Sequence, residues 1–159
     1  MSSNQPSQRV RRIVSGGQTG VDRGALDAAI ALGIEHGGWC PRGRLAEDGR
    51  IAARYRLKET SSSEYWVRTE QNVIDSDGTL ILYRGQLSGG TQLTRRMAVK
   101  HRKACLLVDL GGDSSIVPVR HWLMSNAIGV LNVAGPRESS APGITKEAFH
   151  FLQALLSDA

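Results

Sequence analysis

Two short glycine-rich runs hold most of the residues able to do chemistry: Ser15-Gly16-Gly17-Gln18-Thr19-Gly20-Val21-Asp22-Arg23 and Leu87-Ser88-Gly89-Gly90-Thr91. Glycine lets a backbone turn tightly and approach a ligand closely, and the unpaired N–H groups at a helix start attract an anion. A tetrahedral oxyanion of the phosphate type suits both runs. Arg23 would oppose the dipole of a helix beginning at Val21 unless an anion or a carboxylate compensates it, whereas Asp22 reads as a complement to that dipole. Thr19, Ser88 and Thr91 stand at helix entrances, where hydroxyls cap the backbone and a ligand contact is a second use of the same group. Arg42 and Arg44 flank Gly43 on a polar loop and either close over an anion or extend into solvent.

Several familiar chemistries are absent. Val21 and Asp22 follow Gly20, so the first run lacks the lysine of a P-loop, and its glycines do not have dinucleotide-binding spacing. His36, His101, His121 and His150 share no ligand spacing and pair with no nearby cysteine, which leaves the identity of any metal ligand open. Cys40 and Cys105 fit neither a disulfide framework nor a metal knuckle and are expected as reduced, buried thiols. Glu70, near Arg68, and Glu138 are the carboxylates available for acid or base work, although a helical salt bridge is the simpler use of Glu70.

These loops need a scaffold, and the hydrophobic pattern supplies one. Ile13 and Val14 end a short strand, and Val21, Ala25, Leu26, Ala29, Ile30 and Leu32 then recur at helical spacing up to a capping Gly33. A second strand is expected over 36–40, a charged loop too polar for burial over 41–49, and another loop over about 56–63. Helices are expected over 64–76, 92–102, 115–127 and 145–157, and strands over 79–83, 104–109 and 130–134, with a loop over 135–143. Such alternation predicts an α/β fold: one Rossmann-like domain over 10–159 behind a disordered tail at 1–9, its mostly parallel sheet covered by helices on both faces. Ligands of such sheets bind beyond the carboxyl ends of the strands, so the two glycine loops and the loop from Gly135 to Ser139 should converge on one crevice.

The 159 residues are 40% hydrophobic and 22% charged, as for an ordinary globular domain. Sixteen of the 20 basic residues are arginine and the net charge is +5, which favours an anionic partner. The basic residues form no stripe with interleaved aromatics, so nucleic acid is not an expected partner. Neither a membrane span nor a secretion signal can be read, and a cytoplasmic location is expected.

Taken together, Gly16 to Asp27, Cys40-Pro41-Arg42-Gly43, residues 55–60, Arg68 to Val73, Asp77-Gly78-Thr79 and Ser88-Gly89-Gly90-Thr91 resemble the molybdenum carrier family. This is the circularly permuted YpsA-like branch of the Rossmann-like superfamily that also holds the lonely-guy phosphoribohydrolases. The resemblance runs from about residue 12 to residue 139. Carriers bind the phosphate and molybdenum end of the pterin cofactor over these loops without turnover. The resemblance therefore implies that Gly17, Gln18, Thr19, Gly20, Ser88, Gly89, Gly90 and Thr91 surround an anion, with Gly16 and Asp22 alongside and Arg23 and Arg42 balancing charge.

In the lonely-guy enzymes the second glycine motif continues to a catalytic glutamate, but here Gln92, Leu93 and Thr94 follow Thr91. The expected function is thus a non-enzymatic molybdenum carrier or store, with molybdate, an oxomolybdate cluster or the molybdenum cofactor as cargo. The alternatives are a nucleoside-monophosphate phosphoribohydrolase using Glu70 and Arg68, and a nucleotide-sensing module. A small anionic ligand and further copies of the chain in a homo-oligomer are the expected partners, with an apolar face near Trp66 or Trp122 as the contact.

Overall fold

Along the chain, β1 (Arg12–Val14) leads into α1 (Val21–Leu32) and β2 (Glu35–Gly37). Four two-residue strands follow: β3 (Trp39–Cys40), β4 (Leu45–Ala46), β5 (Gly49–Arg50) and β6 (Lys58–Glu59). Then come α2 (Tyr65–Ile74), β7 (Gly78–Tyr83), α3 (Gly89–Lys100), β8 (Ala104–Asp109), α4 (Ile116–Ser125), β9 (Val130–Ala134) and α5 (Ile144–Leu156). The structure, a computed structural model, describes residues 9–157, so the tail expected over 1–9 lies, apart from Arg9, outside the described residues. No helix among them is long and apolar enough to cross a membrane.

Five strands pair in the order β2-β1-β9-β7-β8, every pairing parallel. Parallel neighbours require crossovers, and the helices supply them. Alternation along each strand sends Leu80, Leu82, Leu131 and Val133 to one face, where they pack with Val21, Ala25 and Ala29 of α1, Val119 of α4 and Leu152 of α5. Thr79, Ile81 and Asn132 alternate to the opposite face, which α2 and α3 cover. The fold is therefore the expected Rossmann-like α/β domain with helices on both sides.

The order of strands matters most for function. The chain moves outward from β1 to β2 on one side and from β7 to β8 on the other, with β9 between them. The loops that leave β1, β9 and β7 are consequently neighbours at one end of the sheet, at the place where an open α/β sheet offers a crevice. Gly135 makes this close approach possible. A Cβ there would meet the Leu82 carbonyl and the Val21 side chain, so only glycine lets the chain leave β9 between β7 and α1.

Three local expectations change. The strand expected over 36–40 breaks at Gly38, whose φ of 120° suits glycine alone, so β2 joins the sheet while β3 pairs with β6. The loop over 41–49 contains the β4–β5 hairpin, and its Arg44 is buried rather than solvated. The guanidinium of Arg44 donates to the carbonyls of Ile51, Ala52, Tyr55 and Leu57, and thereby ties residues 44–57 into a compact strap. Finally, α3 begins at Gly89 instead of Gln92, because the Ser88 hydroxyl caps it by accepting the Thr91 N–H.

Candidate functional site

The three strand-end loops, together with α2 and α3, enclose a cleft of about 250 Å³. A water occupies about 30 Å³ in the liquid, so the cleft has room for a tetrahedral oxyanion and a further small group. Its walls come from Gly16, Gln18 and Asp22 after β1, from Tyr65, Arg68 and Asn72 on α2, and from Ser88 to Thr91 at the start of α3. Asn132 and residues 133–137 at the end of β9 complete it.

The second glycine loop is open toward this space. Ser88 Oγ accepts the Thr91 N–H at 3.2 Å and lies 2.8 Å from the Thr91 hydroxyl, which fixes the first turn of α3. Gly89 and Gly90 are exposed within that turn, and a Cβ added to either would have no protein atom within 4 Å. Neither has a positive φ. Nothing in the protein itself therefore calls for glycine at these two positions, whereas a ligand lying against the helix start would.

The first glycine loop is closed upon itself. The Gln18 N–H donates to Asp22 Oδ2 at 3.2 Å, the Thr19 N–H to the Gln18 side-chain oxygen at 3.0 Å, and the Val21 N–H to the Pro136 carbonyl at 3.2 Å. Three donors expected to face an anion are thus occupied by acceptors of the chain. Gly16, Gln18 and Asp22 still line the cleft; Gly17, Thr19 and Gly20 do not. Gly17 packs toward Ile51 and Leu57, Gly20 against residues 136 and 137, and the Thr19 hydroxyl donates to Glu47 Oε1 at 2.5 Å while accepting the Glu138 N–H.

Arg23 and Arg42 also lie outside the cleft lining. Arg23 forms a two-pronged bond with Asp48, at 2.8 and 2.9 Å, donates to the Gly17 carbonyl, and lies over the Tyr55 ring. The carboxylate that compensates it against the α1 dipole is therefore Asp48 of the strap. Arg42 is exposed, and its backbone N–H is held by Ser62. Asp22, expected as a complement to the α1 dipole, is only 6% exposed, and burial pushes its carboxyl above the ordinary range against the opposing charge of Arg68.

The strap is latched by Glu47. It accepts the Thr19 hydroxyl, the Ser139 N–H and the Ser139 hydroxyl, while its own N–H donates to the Gln18 side chain. The Ser139 hydroxyl first, and the Thr19 hydroxyl second, hold the Glu47 carboxyl below the usual carboxylate range. A depressed pKa contributes stability that is present above the unfolded value and is lost as pH falls through the folded one. Glu47→Gln should accordingly lower Tm near neutrality by about 2–4 °C, and the two melting curves should converge in acid, once the pH has fallen through the lowered pKa of Glu47. Thermal melts of both proteins across that range check this.

Arg68 is the cation that α2 brings to the cleft, which Arg137 also lines. The Arg68 Nη1 donates to the Gly16 carbonyl at 2.7 Å, its Nε to the Thr69 hydroxyl, and its guanidinium lies 5.3 Å from the Tyr65 ring centre. Sequence reasoning placed Arg68 only in the alternative enzyme and missed Tyr65, Asn72 and Asn132. One signal was available: Asn132 is a polar residue within the apolar strand Val130 to Ala134, and it sits at the cleft floor, 3% exposed, with its amide donating to Thr79.

The candidate catalytic carboxylates are engaged elsewhere. Glu70 binds Lys100 Nζ at 2.8 Å and His101 Nε2 at 2.7 Å, which hold its carboxyl low. Glu138 accepts the Gly143 and Thr145 N–H groups and the Thr145 hydroxyl at the start of α5. Cys40 is buried and Cys105 partly buried, both are free, and burial pushes both thiols up. Among the described residues no three His, Cys, Asp or Glu side chains gather as a metal site.

With this geometry in view, the comparisons decide the lineage. Residues 13–156 match the model of the circularly permutated YpsA SLOG family, nearly the whole chain. The chain belongs to that family. A crystal structure from Syntrophus aciditrophicus SB, named "putative molybdenum carrier protein", is similar at 46% identity with a TM-score of 0.91, over 93% of this chain and 96% of that one. No curated protein matches. Membership of the SLOG family fixes the fold and its glycine loops; the ligand has to be argued from the cleft.

Proposed function

We propose that this SLOG-family chain is a non-enzymatic molybdenum carrier or store, which holds an oxyanion between the start of α3 and Arg68. The cargo is molybdate, an oxomolybdate cluster, or the phosphate and molybdenum end of the pterin cofactor. The observation that carries this reading is the unfilled space over Gly89 and Gly90, at a helix N-terminus that faces an arginine across the cleft. The name of the Syntrophus relative supports molybdenum as the element. The phosphoribohydrolase alternative relied on Glu70 or Glu138 for acid or base work, and both are bound to partners outside the cleft lining.

A second reading, a nucleotide-binding module without turnover, draws on Tyr65. It is 44% exposed beside the cleft and offers a ring face on which a base can stack. Either reading is of a cytoplasmic protein that assembles with its own copies, with Trp66 of α2, 48% exposed, as the proposed contact.

Elemental analysis separates them. Protein purified after incubation with molybdate, and protein purified from a host that makes the pterin cofactor, are assayed for molybdenum and phosphorus. Equal molybdenum and phosphorus denotes cofactor carriage, and excess molybdenum without phosphorus denotes oxyanion storage. Phosphorus without molybdenum in both preparations would replace the carrier with the nucleotide module.

A further inference from the structure

Asp22 sets a condition on any anion that enters the cleft. It is the one acidic residue among the described residues that line it. At 6% exposure its carboxyl has little solvent to screen it; Oδ2 accepts the Gln18 N–H at 3.2 Å, and the Ser15 hydroxyl lies beside the carboxyl. A carboxylate that serves only the helix dipole gains nothing from lining an anion site. A carboxylate oxygen and an oxyanion oxygen that meet out of water are two acceptors, and they repel unless one proton lies between them.

The other charged and titratable groups around Asp22 are few. On α1 there is Arg23, already paired with Asp48; on α2, Arg68 and the Tyr65 phenol; on the loop after β9, Arg137, whose Nη1 lies 3.9 Å from Glu47. From α3 come only the hydroxyls of Ser88, Thr91 and Thr94. Asp22 is the one carboxyl among the described residues of the lining, so proton exchange in this region is assigned to it.

Given the oxyanion reading above, on which this rests, we infer that Asp22 is a specificity-determining residue that admits an oxyanion only together with one proton. Hydrogen phosphate brings that proton itself, keeps it, and donates it as a hydrogen bond to the carboxylate. Sulfate and molybdate, fully deprotonated at neutral pH, bring none, and the Asp22 carboxyl then takes one from solvent. One proton moves for each such anion bound, and no other bond forms or breaks. The burial that already pushes this carboxyl up supports the same direction. Selectivity follows: at alkaline pH the cleft prefers a protonated phosphate, and toward acid the fully deprotonated anions gain.

Titration calorimetry on the whole chain tests this, with sodium molybdate and potassium phosphate as the added anions, from about pH 5.5 to about pH 8.5, in buffer pairs of different ionisation heat. The wild type should take up about one proton per molybdate in the alkaline half, where its affinity falls about tenfold per pH unit. Asp22→Asn keeps an oxygen for the Gln18 N–H. It should take up no proton, bind molybdate equally across the range, and exceed the wild type at the alkaline end by about tenfold or more. Molybdate binding by the wild type without proton uptake, or the same slope in a folded Asp22→Asn, overturns the role of Asp22 and leaves the cleft reading intact. Should the variant not fold, the wild-type proton count alone decides. Failure of the wild type to bind either anion at any pH overturns the cleft reading and this inference with it.

Discussion

Gly90→Leu is expected to leave the fold intact and to weaken anion binding about a hundredfold or more, equivalent to about 2.7 kcal/mol. The leucine Cβ would enter space that no protein atom occupies within 4 Å, at a residue with no positive φ, so folding gains slightly from better helix propensity. The side chain would then stand where the proposed ligand lies against the α3 N-terminus. Gly135→Ala is the matched control. Its methyl group would run into the Leu82 carbonyl and Val21, and stability should fall by about 3 kcal/mol. Chemical denaturation and molybdate titration of both variants separate a glycine kept for a ligand from a glycine kept for packing. Unchanged affinity in Gly90→Leu would remove the α3 N-terminus from the site.

Arg68→Met should weaken binding of molybdate or phosphate about a hundredfold, because removing one partner of a desolvated charge pair costs about 2–5 kcal/mol. Methionine keeps much of the aliphatic stem and gives up the bond to the Gly16 carbonyl, so a modest loss of Tm accompanies the change. Arg68→Lys should recover part of the affinity, since lysine keeps the charge and lacks the planar fork. Arg23→Met provides the contrast: Arg23 is bound to Asp48 outside the cleft lining, so its loss should lower stability without a comparable loss of affinity. Equal affinity losses in the Arg23 and Arg68 variants would mean that the strap, and not the cleft cation, governs binding.

Much of the scaffold could be read from the sequence because its signals are local. Gly33 closes α1 at a φ of 70°, as its place after the apolar periodicity predicted. The expected strands at 13–14, 79–83, 104–109 and 130–134 lie in β1, β7, β8 and β9, whereas only the front of the one expected over 36–40 joins the central sheet. The start of α3 is carried by Ser88, an ordinary capping residue, whereas the apolar positions of that helix begin only at Leu93. What escaped was contact across long stretches of chain. The partner of Arg23 lies 25 positions away, the carbonyls around Arg44 come from a segment folded back upon it, and Glu47 meets Ser139 across 92 positions. No periodicity encodes such pairings, and two-residue strands such as β3 and β6 are too short to show one.

The same limit applies to the site. Residue types suggested an oxyanion over two glycine loops, yet hydrogen-bonding demand divides the loops. The first loop satisfies much of its own demand through Asp22 and the Gln18 amide, and the second stays open. The cation facing that opening comes from α2, whose Arg68 could equally have been a solvated helix residue. The strand β7 separates α2 from α3 in sequence, yet the two helices pack together in the fold, and a linear reading has no view of that.

Diffraction at the molybdenum absorption edge from crystals soaked in molybdate tests the central claim most directly. The account predicts a molybdenum peak in the cleft, within hydrogen-bonding reach of the Gly89 or Gly90 N–H on one side and the Arg68 guanidinium on the other. Molybdenum bound only outside the cleft, with the cleft empty at saturating molybdate, would contradict it.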